Sequence, residues 1–506
     1  MQGLETRLAR SIFSSSSFVS PLAQNRSCDP FTPKESECRL GNYPAYVVNA
    51  STADDVSAAV HFARLHNVRL IIKSTGHDLL GRSSGAASLS IWMHFFRNLT
   101  IIESYSGANS FDNYHGPAVS IGPGLLAYEV FEAAQKQGLR VLGGTCPTVG
   151  IGGGYTSGGG HSLLSSKYGL SADNVLEWDV ITASGHRVTA TPSQNPDLYW
   201  ALSGGGTGVF AVILGVTVKA FPDGIVSAAG ITFNITSSPS GDAFWSAMEA
   251  LHSSTPAWLD QNATAAYVLA GGTLSLQPLT LPDQSADAVR ALIEPFLATL
   301  ATLNIPYTLN ITTFPSFLDL YSVYYGPLPY GLPSSSVIQT SRLLPRSVLT
   351  SEKERCALMD AQRHIASLAG GSFWIVGTAL ALPHTPSAAP SNAVLPAWRD
   401  ASVHQMIVGQ WDWNATWTTN LLKQETLLSD VLPALVNLSP GSGTYMSEGN
   451  PAQADWKEAF YGENYERLLD IKKKWDPEGV FFAHAGVGSH GWRIDEEGRL
   501  CTLPGV

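Results

Sequence analysis

Apolar positions near the start of the chain alternate between two periods. Val56, Ala59, Val60 and Ala63 recur at helical spacing on one face. Ser51 or Thr52 precedes them as a candidate cap, and Asp54 and Asp55 sit in the first turn, where carboxylates favour a helix N-terminus. The pattern predicts a helix running towards Asn67. It is followed by the continuous apolar run Val68–Ile72, which reads as a buried strand. A second helix is predicted over about Ala127–Gln137, stopped by Gly138, with a short strand Leu139–Leu142 behind it. Val209–Val218 is a further apolar run. From about Val226 the texture changes. Amphipathic pieces such as Ala286–Leu303 alternate with strand-like runs such as Phe373–Leu382, and the Pro-rich stretches Tyr325–Pro333 and Pro383–Pro396 read as loops. This predicts a second lobe, an antiparallel sheet with helices on one side. The last helical pattern, Asp455–Lys474, is closed by Asp476-Pro477 and leads to Gly479–Phe482.

Between these elements lie segments that neither period explains. Residues 143–174 are dense in glycine and hold one cysteine, Cys146. Glycine costs roughly 0.5–1 kcal/mol against alanine inside regular structure, so such a run makes sense where backbone must pass close to another flat or anionic group. Strand Val68–Ile72 runs into Lys73-Ser74-Thr75-Gly76-His77-Asp78, a turn whose amides suit a pyrophosphate. A third cluster, Gly204-Gly205-Gly206-Thr207-Gly208, precedes Val209–Val218. Three such sites suggest a ligand longer than a mononucleotide. The dinucleotide fingerprint G-x-G-x-x-G is absent from the central loop, and its looser match, Gly206 to Ala211, precedes a strand-like run instead of opening a helix. A Walker A pattern is missing too.

Composition narrows the class. A chain of 506 residues exceeds what one core organises, and 44% hydrophobic with 14% charged residues describes a globular protein. A formal charge of −11 argues against a nucleic-acid partner. The one tight basic cluster, Lys472-Lys473-Lys474, reads as the solvated end of a helix. No apolar segment reaches the roughly 20 residues that span a bilayer, so no membrane is expected. Residues 1–24 lack the apolar core of a signal peptide, yet eight N-x-S/T sequons, at Asn25, Asn49, Asn98, Asn234, Asn262, Asn310, Asn414 and Asn437, point to a secreted or secretory-pathway glycoprotein. Cys28 and Cys38 flank a short loop suited to a disulfide, Cys356 and Cys501 either pair or stay reduced, and no C-x-x-C supports zinc. Cys146 is then the odd one out, a candidate for covalent chemistry. No metal is expected.

KSTGHDLLGRS (Lys73–Ser83), the glycine-dense run 143–174, the third glycine cluster with its strand, and YGENYERLLDIKKKWDPEGVFF (Tyr461–Phe482) together resemble the berberine bridge enzyme-like branch of the vanillyl-alcohol oxidase flavoproteins. The resemblance covers residues 28–222 and 440–492 well and the middle in outline. It implies an α+β fold: a two-subdomain PCMH-type FAD-binding domain at 28–222 after an extension at 1–27. A substrate domain at 223–454 with a largely antiparallel sheet follows, and then a segment at 455–506 that returns to the flavin domain. By the same resemblance FAD is the cofactor, linked to His77 through its 8α-methyl and to Cys146 through C6. Lys73, Ser74, Thr75, Gly76 and Gly81 belong to the cofactor site, as do Val149, Gly150, Gly153, Ser157 and Gly158 of the central loop, Val212 of the following strand, and Asn464. An imidazole and a thiolate are the side chains nucleophilic enough near neutral pH for such bonds.

A base must take a proton from the substrate while hydride passes to flavin. Candidates lie in Thr444-Tyr445-Met446-Ser447-Glu448. Read as a strand, this piece places Tyr445 and Glu448 on opposite sides, so at most one of them is catalytic. Tyr461, Asn464 and Tyr465 share a helical face that meets either flavin or core. Tyr321–Tyr330, with Trp411, Trp413 and Trp417, are candidates for a substrate cleft. The expected protein is a monomeric oxidase that passes electrons from a small organic molecule of secondary-metabolite type to O₂. Alternatives are a carbohydrate oxidase acting at the anomeric carbon, a redox-neutral flavoprotein isomerase or cyclase, and a non-catalytic flavin binder.

Overall fold

The structure, a computed structural model, describes residues 18–19, 21–25, 27–28, 32–106, 114–331, 335–383, 392–495 and 499–503. The helix Ala53–His66 begins where the polar pattern places it. Thr52 Oγ1 accepts from the Asp55 amide at 3.2 Å and the Asp55 carboxylate accepts from the Thr52 amide at 2.9 Å, a reciprocal cap. Val56, Ala59, Val60 and Ala63 pack onto Leu70, Leu89 and Ile91. Those three belong to a parallel sheet in which Leu89–Trp92 lies between Tyr46–Asn49 and Leu70–Lys73. Parallel strands bring their C-terminal ends to one edge, and from that edge the loop 74–78 departs.

Beside it stands a five-stranded antiparallel sheet ordered Leu99–Tyr105, Gly116–Ile121, Val212–Lys219, Val175–Ile181 and Arg187–Ala190. The second predicted helix spans Ala127–Gln135, with Gly138 at φ 65° turning the chain back. Its strand is shorter than expected, only Leu139–Arg140 pairing with Phe221–Pro222.

The third layer is an eight-stranded sheet, antiparallel apart from the pairing of Phe18–Val19 with Ser335–Ser336. Successive side chains of a strand face opposite ways, and here both faces are apolar. Ala229, Tyr267, Ile338 and Ile407 pack against the helices Gly241–Leu259, Ala286–Thr302 and Glu352–Ser367. Ala228, Val337 and Val408 turn to the other core, which includes Phe131, Ile151 and Trp178. The sheet is therefore covered by helices on one face and by the glycine-rich layers on the other, and His404 lies on that second face, in step with Met406 and Val408. Arg140 ties the layers together: its Nη2 reaches both Asp283 oxygens and the Tyr168 hydroxyl, each at 2.7 Å. Among the described residues no helix is long and apolar enough to cross a membrane.

Three expectations need correction. Among the described residues no disulfide forms, so the Cys28–Cys38 bridge is absent. The Cys28 amide donates to the Arg39 carbonyl at 2.9 Å, which sets Arg39 opposite Cys28, and Cys38, one residue away, is exposed. The helical pattern 455–474 is two helices, Trp456–Tyr461 and Tyr465–Trp475, because Gly462 at φ 53° takes a left-handed conformation that a helix cannot continue. Lys472 is not solvated. It is 6% exposed, on the face shared with Leu468, and its ammonium donates to the carbonyls of Val209 at 2.8 Å and Phe481 at 2.7 Å while pairing with Asp476.

Asp476 in turn accepts from the amides of Val480 and Phe481, and Phe481 forms a parallel bridge to Leu70. This is how the C-terminal segment is anchored to the first sheet. Removing one partner of a buried pair leaves a charge uncompensated, so Asp476→Ala should cost about 3–5 kcal/mol, read as a lowered melting temperature. An unchanged melting temperature would mean that other contacts hold this segment.

Candidate active site

The loop 74–78 and the central glycine loop meet edge to edge. The Thr75 hydroxyl accepts from the Gly150 amide at 3.2 Å. A Cβ on Gly150 would stand 2.9 Å from Thr75 Cγ2, one on Gly153 would stand 2.9 Å from Ser74 Oγ, and one on Gly158 would stand 2.6 Å from Ser447 Oγ. Gly76, at φ 90°, leaves room for the Lys73 side chain. At these four positions the space left by glycine is taken by neighbouring protein, so their direct effect is to let loops interlock. Gly204 and Gly206 donate to the Ser157 carbonyl at 3.1 and 3.0 Å, docking the third cluster on the second.

This interlock brings His77 and Cys146 to one hydroxyl. His77 Nε2 lies 2.8 Å and Cys146 Sγ 3.6 Å from Thr148 Oγ1. Tyr321 holds the same loop by donating to the Gly144 carbonyl at 2.9 Å. Next to His77, Asp78 pairs with the buried Arg82 at 2.7 Å, and Arg82 donates to the Met446 carbonyl at 3.2 Å. The His77 loop is thereby tied to the segment that carries Tyr445 and Glu448.

That segment is a turn, closed by the Glu448 amide donating to the Tyr445 carbonyl at 3.0 Å, and not a strand. The turn folds Tyr445 and Glu448 to the same side, overturning the expectation that they face apart. Glu448 sits between two imidazoles, 3.5 Å from His161 Nε2 and 3.4 Å from His404 Nδ1. The Tyr445 ring packs edge-on to both, with centroids 5.5 and 5.6 Å away, and Trp398 stands 5.4 Å from it as the next wall. Burial pushes the Tyr445 phenol upward, so it keeps its proton. Burial also pushes His404 down, to about 4. On Glu448 burial acts upward, but the hydrogen bond from His161 and the charges of the two imidazoles outweigh it and hold the carboxyl at about 2. The Glu448 side chain is 27% exposed, while those of its imidazole partners are 9% and 2% exposed, so it is the most accessible member of the cluster.

Val149 is half-buried, and its carbonyl accepts from the Ala127 amide at 2.9 Å. Val212 is fully buried at the start of its strand, so only its backbone can serve a ligand. Gly81 faces Ala23 and lines a separate cleft of about 460 Å³ with Arg69 and Phe482. Asn464 donates to the Val394 carbonyl at 3.1 Å, fixing a neighbouring segment. Tyr461 and Tyr465 are buried. Trp411, Trp413 and Trp417 pack into the core on the helical side of the large sheet, away from Glu448, which removes them from the substrate cleft.

The hydrophobic pattern does not expose His161, His404, Trp398 or Thr148 as site residues. A histidine directly after three glycines, and another in step with the apolar residues of a strand, were the signals available.

Several features suit a large polar cofactor. Among the described residues Ser157 Oγ and Trp92 Nε1 are buried with no hydrogen-bond partner, a state that normally costs free energy unless a ligand or water relieves it. Burial pushes the Lys73 ammonium down to about 8, at the mouth of a turn suited to a diphosphate, and a nearby anion would raise it again. The imidazole and thiol at Thr148 are the donor pair that two covalent links require.

Comparison with known proteins agrees. The family described as FAD binding domain matches residues 44–191, and the family described as Berberine and berberine like matches 444–488. The VAO-type flavoprotein oxidase VAO615 of Thermothelomyces thermophilus is 43% identical over 94% of this chain and 82% of its own length. The bifunctional decalin synthase calF of Penicillium decumbens is 42% identical over 96% of this chain and 83% of its own length. The crystal structure of VAO-type flavoprotein MtVAO615 from Myceliophthora thermophila C1 superposes with a TM-score of 0.92 over 99% of this chain and 91% of that one, at 40% identity. At 20% identity, where the likeness shows the fold alone, the glucooligosaccharide oxidase of Acremonium strictum, whose FAD is 6-S-cysteinyl and 8α-N1-histidyl, gives a TM-score of 0.71 over 89% of this chain and 93% of that one. The chain belongs to the berberine bridge enzyme-like, vanillyl-alcohol-oxidase-type flavoproteins and is an FAD-dependent oxidoreductase.

Proposed function

We propose that this protein is an oxidase with a doubly linked flavin, acting on a small hydroxylated or amine-bearing molecule of secondary-metabolite type. The observation that carries the reading is the convergence of His77 and Cys146 on Thr148. His77 would hold the 8α-methyl and Cys146 would hold C6. When bound, FAD supplies the two-electron acceptor that takes hydride from carbon and returns the electrons to O₂ as hydrogen peroxide.

The protein's own contribution is on the proton side. Glu448 meets the substrate as a carboxylate, and the Glu448–His161–His404 cluster accepts the substrate proton as a unit, since a carboxyl held at about 2 is a weak base by itself. Tyr445 and Trp398 wall the cluster, keep water away and position the substrate; Tyr445, fully protonated, acts as a donor. The wall is aromatic and buried around a half-buried carboxylate, which favours a compact, partly apolar substrate over an oligosaccharide. One relative above 40% identity is named a bifunctional decalin synthase, which supports this substrate class.

The test is a panel of hydroxylated polyketides and terpenoids, amines and oligosaccharides mixed with the protein without O₂. Bleaching of the flavin by a member of the first two groups, followed by stoichiometric peroxide on admitting air, is the expected result. Bleaching by oligosaccharides alone would overturn the substrate class. Conversion of substrate with no bleaching would make the enzyme redox-neutral.

A further inference from the structure

We propose that His161, His404 and Glu448 form a binding site for a divalent first-row transition-metal ion of the Zn²⁺ type, and that its occupancy silences the proton-accepting centre. The effect on turnover rests on the function proposed above; the binding does not.

Two imidazoles and a carboxylate are a donor set that suits zinc and its neighbours and suits magnesium or calcium poorly. The three come from separate parts of the fold: the end of the glycine loop, the strand Ala401–Gln410 and the turn 445–448. Each is held by its own element, so the set is assembled before any ion arrives. One donor atom from each lies within 4.8 Å of the others.

The spacing carries the argument further. The carboxylate oxygens stand 3.5 and 3.4 Å from the facing ring nitrogens. Good N–H···O hydrogen bonds are shorter, about 2.7–3.2 Å. Tetrahedral bonds of about 2.0–2.1 Å to zinc place neighbouring donors about 3.3–3.4 Å apart. The observed separations, one to each carboxylate oxygen, lie beyond the first figure and close to the second, and the third edge of the set is within 4.8 Å. The outer nitrogens, His161 Nδ1 and His404 Nε2, are buried and have no hydrogen-bond partner among the described residues. An ion at the inner nitrogens replaces the hydrogen bond from His161 to Glu448 and moves the ring proton to the outer nitrogen, where no protein donor among the described residues competes for the site. Glu448, the most accessible of the three, leaves a fourth position for water.

No local spacing in the sequence announces this set. An ion bound here occupies the lone pair of each inner nitrogen and by its charge lowers the basicity of the Glu448 carboxylate, so the cluster no longer takes a proton from the substrate.

The experiment uses the flavin-loaded protein, stripped with a chelator and dialysed against micromolar Zn²⁺ in millimolar Mg²⁺, with metal per chain read by elemental analysis. Wild type should retain one Zn²⁺ per chain more than Glu448→Gln, an isosteric change expected to weaken binding by at least about tenfold. His161→Gln should behave as Glu448→Gln does. His364→Asn, at the exposed pair with Asp430, should match wild type. Equal Zn²⁺ in wild type and Glu448→Gln, or none in wild type, would overturn the proposal. Because the reading needs no turnover, a protein that binds Zn²⁺ here but oxidises nothing refutes the proposed function alone. One that oxidises its substrate without binding Zn²⁺ refutes only this site.

Discussion

Flavin should remain with the polypeptide when the wild-type protein is precipitated in acid, and should leave it completely when His77 and Cys146 are both replaced by alanine. The two side chains come from different loops yet lie at 2.8 and 3.6 Å from one hydroxyl. Either bond alone would keep the cofactor through denaturation, so His77→Ala and Cys146→Ala singly should each give a yellow pellet. Only the double variant should give a colourless pellet and a yellow supernatant. The two singles should also differ from one another in their visible spectra, since a thioether on the ring perturbs the flavin more than an alkyl nitrogen outside it does. Yellow supernatant from wild type would remove both residues from the cofactor linkage. A single variant that already releases all its flavin would assign the whole linkage to that residue.

Elements governed by local pattern were legible in the sequence. The stripe Val56, Ala59, Val60 and Ala63 with its cap defined a helix because both signals lie within a few residues of each other. The alternating, apolar character of the middle region gave a sheet with helices on one face. The glycine clusters marked the region of the site, although Gly150, Gly153 and Gly158 serve loop against loop as the structure stands. Lys472 looked solvated because its neighbours Lys473 and Lys474 are; only the tertiary carbonyls of Val209 and Phe481 make its burial possible. The cluster of His161, His404 and Glu448 was the least legible part. Its members are far apart in the chain, and Thr444 to Glu448 carries no glycine or proline to betray the turn that brings Tyr445 and Glu448 together. A pairwise contact across three segments has no signature in any one of them.

The Glu448→Gln variant should reduce its flavin with substrate about 10²–10⁴-fold more slowly than wild type, the range that a positioned proton acceptor contributes. Glutamine keeps the shape and the contacts of the side chain between His161 and His404 but has no lone pair basic enough to accept the proton, so the substrate dissociation constant should change little. The measurement is anaerobic stopped-flow reduction across substrate concentrations, which separates the limiting rate from binding. Tyr445→Phe is the matched control. Its phenol is buried and pushed upward, so it can donate but not accept, and losing one hydrogen bond of about 1 kcal/mol should slow reduction by about tenfold or less. If Tyr445→Phe proves the slower variant, the two roles are exchanged, and the low position of the Glu448 carboxyl then marks it as the group that orients His161. If both reduce at the wild-type rate, the proton leaves the substrate elsewhere, and the turn that joins Tyr445 to Glu448 is a wall of the cleft. The first outcome is expected because, of the three cluster members, Glu448 is the most accessible and its carboxyl is pushed down by the two imidazoles.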